Sequence, residues 1–265
     1  MKANVYSIDG TQKKQVDLPE VFSEEIRPDV INRAFLALRS NSYQKKYSDL
    51  MAGVKTSADY FGRRHKVYRT SINIGRARLP KVKLPQGELG EVRRVPHSRG
   101  GRRAHPPKPE KIIAEKINKK ERRKAIRSAI AATASAEFVA KRGHRITGLA
   151  LPIVVDDKIE EMKKTKEVSS LLEKLRLGQD VKRAGKRTLK PGKGSMRGRA
   201  YKRKKSVLII VKKDRGIIKA AKNIPGVDAV TVKNVNVELL APGGHAGRLT
   251  VYSESAMNEL KTLFK

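Results

Sequence analysis

Apolar positions in this chain follow two periods, and each change of period marks an element. Val5, Tyr6 and Ile8 precede Asp9-Gly10, and Val16 and Leu18 follow. Asp-Gly between two such runs predicts a hairpin, here with a longer loop. From Pro28 to Arg39 the period is helical. Val30, Ile31, Ala34, Phe35 and Leu38 share one face, and Pro28 suits the first helical position. A long helix is expected from about Lys119 to Arg142, with Ile126, Ala129, Ile130, Thr133 and Phe138 inward and Gly143 at its end. Asn118 with Glu121 has the form of a capping box, Asn replacing Ser or Thr.

From about Leu151 strands and helices alternate. Ile153–Val155 reads as a short strand. Glu167–Leu177 reads as a helix with Val168, Leu171, Leu172 and Leu175 inward and Gly178 after it. Ser206–Val211 is an unbroken apolar run bounded by charge, as in a strand buried on both faces. Ile217–Ala221 belongs to a helix capped by Asp214, Val227–Val232 is a third strand, and Leu249–Tyr252 is a fourth. Ser253 then caps a C-terminal helix with Ala256, Met257, Leu260 and Leu263. The alternation implies an α/β fold whose mainly parallel, four-stranded sheet is covered on both faces. No fixed-period repeat is present.

Two stretches escape both periods. After the polar run at 41–60, residues 61–111 carry 15 Lys/Arg against 3 Glu, with 6 Gly and 6 Pro. Such a segment buries too little apolar surface to offset the entropy of ordering it. Loops this long inside a domain are usually functional or disordered. Residues 182–205 hold 12 Lys/Arg and no Asp or Glu. Each stretch contributes +12 to a net charge of +35, so the other 190 residues carry only +11. The expected organisation is one globular α/β domain over 1–265, interrupted by an extended loop at 61–111 and a second basic arm at 182–205.

That charge calls for a polyanion, with nucleic acid ahead of an anionic membrane, because no basic amphipathic helix or lipidation signal is found. The chain of 265 residues has no cysteine, which removes disulfides, thiolate zinc sites and cysteine nucleophiles. MKANVYSIDG lacks the apolar core of a signal peptide, and no apolar run approaches the ~20 residues that span a bilayer. A cytoplasmic location is expected.

Little in the sequence points to chemistry. His65, His97, His105, His144 and His245 form no HxH or HExxH spacing, so solvated or RNA-contacting roles are expected and no metal or catalytic residue is assigned. Pro191-Gly192-Lys193-Gly194-Ser195 has the wrong glycine spacing for a phosphate loop and precedes its strand. Gly243–Gly247 also precedes a strand and reads as a turn. Asp156-Asp157 and Glu160-Glu161 read as solvated charge. No cofactor is expected.

The arms suit phosphates. Self-repulsion at this density costs stability unless an anion lies alongside. The expected RNA-binding residues of the loop are Arg63, Arg64, Lys66, Arg69, Arg93, Arg94, Arg99, Arg102, Arg103, His105 and Lys108. Those at the helix start are Lys119, Lys120, Arg122 and Arg123, where positive charge opposes the dipole and an outside anion would relieve it. Those in the second arm are Lys193, Arg197, Arg199, Tyr201, Lys202 and Arg203. Tyr60, Phe61, Tyr68 and Tyr201 are candidates to stack on unpaired bases.

GGRRAHPPKPEK followed by NKKERRKAIRSAIAAT resembles large-subunit ribosomal protein four, the universal "L four" family in its archaeal/eukaryotic form. YSIDG, VDLPEVF, RGRAYKRKK and LLAPGGHAGRLTVYSESA extend the resemblance along the whole chain. The lack of a long extension after Lys265 favours the archaeal type. The resemblance implies a three-layer α/β/α domain and a role as a structural constituent of the large ribosomal subunit. It further implies a long loop threading large-subunit ribosomal RNA to the polypeptide exit tunnel. The expected tunnel-lining tip is Arg76, Ala77, Arg78, Leu79 and Pro80. Implied partners are that RNA, neighbouring proteins including the other tunnel-loop protein ("L twenty-two"), and the nascent polypeptide, with no membrane and no self-oligomer.

Two other readings remain open. A nucleic-acid-modifying enzyme should show a Gly-rich turn after its first strand and an acid ending its second. Here Val155 leads into Asp156-Asp157-Lys158, and Val211 into Lys212-Lys213-Asp214. A free RNA chaperone is the other.

Overall fold

The computed structural model describes residues 1–60, 72–73, 75–146, 148 and 150–263. In chain order, β1 (Lys2–Tyr6) and β2 (Gln12–Asp17) form a hairpin and α1 (Pro28–Asn41) follows. Next come β3 (Lys81–Lys83) and β4 (Leu89–Val92), then α2 (Lys119–Ala134), α3 (Ala136–Lys141) and β5 (Ile153–Val155). After them lie α4 (Thr165–Lys174), α5 (Gly178–Gly185), β6 (Arg187–Leu189), β7 (Tyr201–Arg203) and β8 (Leu208–Val211). The chain closes with α6 (Ile217–Lys222), β9 (Asp228–Thr231), α7 (Val237–Leu240), β10 (Thr250–Ser253) and α8 (Glu254–Leu263). Two compact units result: Met1–Ser42 with Ala114–Lys265, and Tyr43–Ile113.

The first unit is built on a sheet of order β2-β1-β5-β10-β8-β9. Every neighbouring pair is parallel except β1 with β2. The sheet thus has six strands where four are expected. The reason is the N-terminal hairpin. Ala3 and Val5 of β1 are buried, and Val5 pairs in register with Val154 of β5.

Successive residues of a strand face opposite sides, so a strand apolar at every position feeds two cores. Val154, Leu208, Ile210 and Tyr252 join Ile31 of α1, Ile130 of α2, Leu240 of α7 and Leu260 of α8. Ile153, Val155, Ile209, Val211 and Val251 join Val139 of α3, Leu171 and Leu172 of α4, and Ala220 and Ala221 of α6. Helices therefore cover both faces, and each fully buried aliphatic side chain contributes about 1.5–3 kcal/mol.

The helix expected over Lys119–Arg142 is two helices. Ser135 is extended, with ψ of 117°. That break lets Ile130 enter one core while Val139 enters the other, which a straight amphipathic helix could not do. The capping box is also absent. Asn118 makes no side-chain cap bond, and Glu121 instead pairs with Arg33 at 3.0 Å. The helix expected over Glu167–Leu177 stops at Lys174, and Arg176 takes a positive φ of 57° beyond it. Two caps occur as read from the sequence. Asp214 Oδ1 accepts from the Gly216 amide at 2.9 Å, and Ser253 Oγ from the Ala256 amide at 3.2 Å.

The second unit contains the β3–β4 hairpin, reversed through Pro85–Gly87 with Gln86 at φ 59°. The points where the chain leaves and re-enters the first unit are held together there: Ser40 Oγ accepts from the Glu115 amide at 2.9 Å. Excising Tyr43–Ile113 and joining Ser42 to Ala114 by a few Gly and Ser residues should leave one cooperative thermal transition, read by circular dichroism at near- and far-ultraviolet wavelengths. Loss of the near-ultraviolet signal would show that the first unit needs the second in order to pack.

Candidate nucleic-acid interface

The basic stretch at 182–205 begins inside α5, whose last turn is Lys182–Gly185, and its return leads into β8. Its two ends are tied by one buried carboxylate. Asp180 is fully buried and accepts from Arg183 Nε at 2.8 Å, His144 Nδ1 at 3.0 Å and the Arg145 amide at 3.1 Å. It also accepts from Ser206 Oγ at 2.6 Å, across the arm. Arg183 Nη2 reaches the Lys205 carbonyl at 2.9 Å.

Arg248, fully buried, completes this neck. Nε donates to the Ser206 carbonyl and Nη1 to the Leu239 carbonyl, both at 2.9 Å. Nη2 donates to the Gly226 carbonyl at 3.2 Å and pairs with Asp228 at 2.6 Å. Gly226 has φ of +76°, and a Cβ there would lie 2.7 Å from both the Ala184 Cβ and the Lys204 carbonyl. Only glycine lets the chain pass so close to the neck.

Burial acts to raise the Asp180 pKa, but hydrogen bonds from His144, Arg183 and Ser206 outweigh it and hold the carboxyl well below the usual range. For His144 burial dominates and lowers the pKa, with Asp180 opposing. The imidazole is therefore neutral near pH 7, and an ionised Asp180, which can only accept, makes Nδ1 the donor.

Beyond the neck, β6 and β7 form an exposed antiparallel ladder pairing Arg187 with Arg203, Thr188 with Lys202 and Leu189 with Tyr201. Like charges directly opposite are destabilising. The Arg187 guanidinium lies 5.8 Å from the Tyr201 ring centroid, a cation–π distance. Lys193, Arg197 and Arg199 are exposed in the connecting turn. Among the described residues, no carboxylate pairs with these three, Lys202 or Arg203.

In the second unit Arg76, Ala77 and Arg78 are exposed, and Leu79 and Pro80 are partly covered. They lead into β3, and Arg76 Nη1 donates to the Leu89 carbonyl at 3.3 Å. Arg93 pairs with Glu91 at 2.8 Å, while Arg94, Arg99, Arg102, Arg103, His105 and Lys108 are exposed. Arg63, Arg64, Lys66 and Arg69, with Phe61 and Tyr68, lie outside the described residues. In the first unit Lys119, Lys120, Arg122 and Arg123 are exposed on the opening turns of α2.

Two expectations are corrected. His144, expected at solvent or RNA, has its ring in the neck. Glu160, expected as solvated charge, is buried and accepts from the Lys212 amide at 2.8 Å, Ser255 Oγ at 3.0 Å and Ser253 Oγ at 3.1 Å. It lies at the carboxyl-terminal end of the parallel strands, where open α/β sheets usually receive ligands. Among the described residues no three His, Asp or Glu converge as a metal site, and no helix is long and apolar enough to cross a membrane.

The sequence model for the ribosomal protein L4/L1 family matches residues 16–263. The chain belongs to this family. It is 50% identical over 266 residues to a protein of Methanocaldococcus jannaschii named large ribosomal subunit protein uL4, covering all of both chains. It is 51% identical to the protein of that name from Archaeoglobus fulgidus, over 98% of each chain. For the one from Methanosphaera stadtmanae the identity is 47%, over 100% of this chain and 98% of the other.

In this member of the L4/L1 family the neck residues carried only a faint sequence signal. Asp180 is the sole acid between Glu173 and Asp214, set among sixteen Lys/Arg. Arg248 is a lone charge entering an apolar strand. Removing one partner of a buried ionic group costs about 3–5 kcal/mol, so Asp180→Ala should lose that much in urea titration at pH 7. A folded pKa below the unfolded one gives stability that is complete above about pH 4 and is lost as pH falls below it. The difference between wild type and variant should therefore shrink on acidification; a pH-independent difference would contradict the ionised state.

Proposed function

We propose that the protein is a structural constituent of the large ribosomal subunit and binds large-subunit ribosomal RNA through its basic segments, in the cytoplasm. The observation that carries this is an exposed, cation-only hairpin held on a rigid neck, in a chain related over its full length to proteins named uL4. Arg187 faces Arg203 across β6–β7, so the ladder lacks its counter-charge until phosphate lies beside it. Phosphate contact supplies affinity, and folded RNA is recognised by shape with little base-edge reading. The described surface supports positioning of RNA.

The finer reading gives residues 61–111 an RNA-penetrating role. Its tip, Arg76–Pro80, would help form the wall of the exit tunnel beside the "L twenty-two" loop and touch the nascent polypeptide. Residues 182–205 would be a second RNA-binding arm. Such segments order on assembly, drawing on part of the binding energy, so RNA closing around the loop would bias the order of assembly.

Substituting Lys193, Arg197, Arg199, Lys202 and Arg203 by Gln tests the arm. Affinity for large-subunit RNA should fall, and the slope of log affinity against log salt should drop by about 0.7–0.9 for each phosphate that the variant no longer neutralises. Unchanged affinity and slope would remove the arm from the interface.

A further inference from the structure

The first unit has a cleft of about 700 Å³ beside the residues that lead into β8 and β10. That volume is within the ~300–1,000 Å³ of ligand sites. Its charged wall is one-sided: Lys141, Arg142, Arg183, Lys204 and Lys205, with no Asp or Glu among the lining residues. The smaller crevice at the opposite, carboxyl-terminal end of the strands is balanced, four carboxylates against four cations.

Not all the cations in the cleft are compensated. Arg183 is paired with Asp180, and Lys205 with Asp228. Lys141, Arg142 and Lys204 have no carboxylate partner among the described residues. Arg142 is the informative one. It is half-buried and, among the described residues, donates only to main chain, Nη2 to the Pro242 carbonyl at 2.7 Å and Nη1 to the His245 carbonyl. Burial, with Arg248 and Arg183 nearby, pulls its pKa down to about 10. A partly desolvated cation among like charges is costly until an anion joins it.

The same cleft has apolar and polar faces. Phe138, Pro28 and Ala246 line it. His144 also lines it, and its buried Nε2 has no partner among the described residues. Cations beside an aromatic face are the usual means of holding a nucleotide out of a helix.

We propose that this cleft binds a single unpaired RNA nucleotide, with its phosphate on Lys141, Arg142 and Lys204 and its base or sugar against Phe138 and Pro28. The site lies outside the arm's hairpin but is continuous with it through Lys204 and Lys205. It rests on the ribosomal-RNA reading above and adds a specific socket in the globular unit. An acidic peptide would use the cations but leave the ring of Phe138 without a flat partner.

The test compares full-length wild type with Lys141→Gln/Lys204→Gln and with a charge-matched control, Lys158→Gln/Lys213→Gln, at the balanced crevice. All four side chains are exposed, so all three proteins should melt alike. Removing two phosphate-binding cations should weaken binding to large-subunit RNA about tenfold, while the control loses at most two- to threefold. Ultraviolet cross-linking of the wild-type complex should place a nucleotide adduct on the peptide containing Phe138. Control-like affinity in Lys141→Gln/Lys204→Gln overturns the socket whatever the cross-links show. Loss of affinity with an adduct only elsewhere overturns it too, as does normal RNA affinity with lost binding of an acidic protein segment. Failure of wild type to bind the RNA at all would instead overturn the broader reading.

Discussion

A chain of net charge +35 folds only if its repulsion is kept out of the core, and the neck around Asp180 and Arg248 is where that separation is made. Asp180 bonds to Arg183 on one side of the second basic arm and to Ser206 on the other. Arg248 ties the same return to Asp228 and to the carbonyls of Leu239 and Gly226. Buried ion pairs often contribute little net stability, because desolvation offsets attraction. Their role here is geometric. They fix where a repulsive hairpin leaves the sheet, so the strain of its like charges falls on solvent-facing strands and not on β8.

The first unit closes the chain differently at its two excursions. The arm leaves through a charged clamp, while the chain at Ser40 and Glu115 is joined by one hydrogen bond. In both cases a tie within the first unit holds the two ends of the excursion together. The sheet can therefore pack as an ordinary α/β core with cores on both faces. Its carboxyl-terminal crevice, the usual ligand site of such folds, has Glu160 bonded into its wall. Fold alone does not locate function in such a sheet.

Much of the fold was legible because its signals are local. SVLIIV reads as a doubly buried strand wherever it occurs, and the Asp214 and Ser253 caps depend on residues a few positions away. What was missed depends on tertiary partners. The break at Ser135 exists because two cores lie on either side of one sheet, which no helical period reports. Asn118 and Glu121 matched a capping box, but Arg33, distant in sequence, took the carboxylate. The hairpin strands joined the sheet through a pairing with β5 that no turn signal encodes. For the candidate interface, charge density marked the arm, yet of the residues that aim it Asp180 and Ser206 only border it, and His144 and Arg248 are distant in sequence. His144 looked like one more solvated imidazole until burial and Asp180 gave it a fixed tautomer.

A structural constituent of the large subunit must reside there in the cell. The direct measurement is sedimentation of native lysate through a high-salt sucrose gradient, followed by quantification of this chain in each fraction. Recovery with large subunits, in a fixed ratio to their RNA and persisting at salt that strips loosely bound proteins, is the expected result. Recovery mainly in the free fraction would contradict a structural ribosomal role and favour an unattached RNA chaperone.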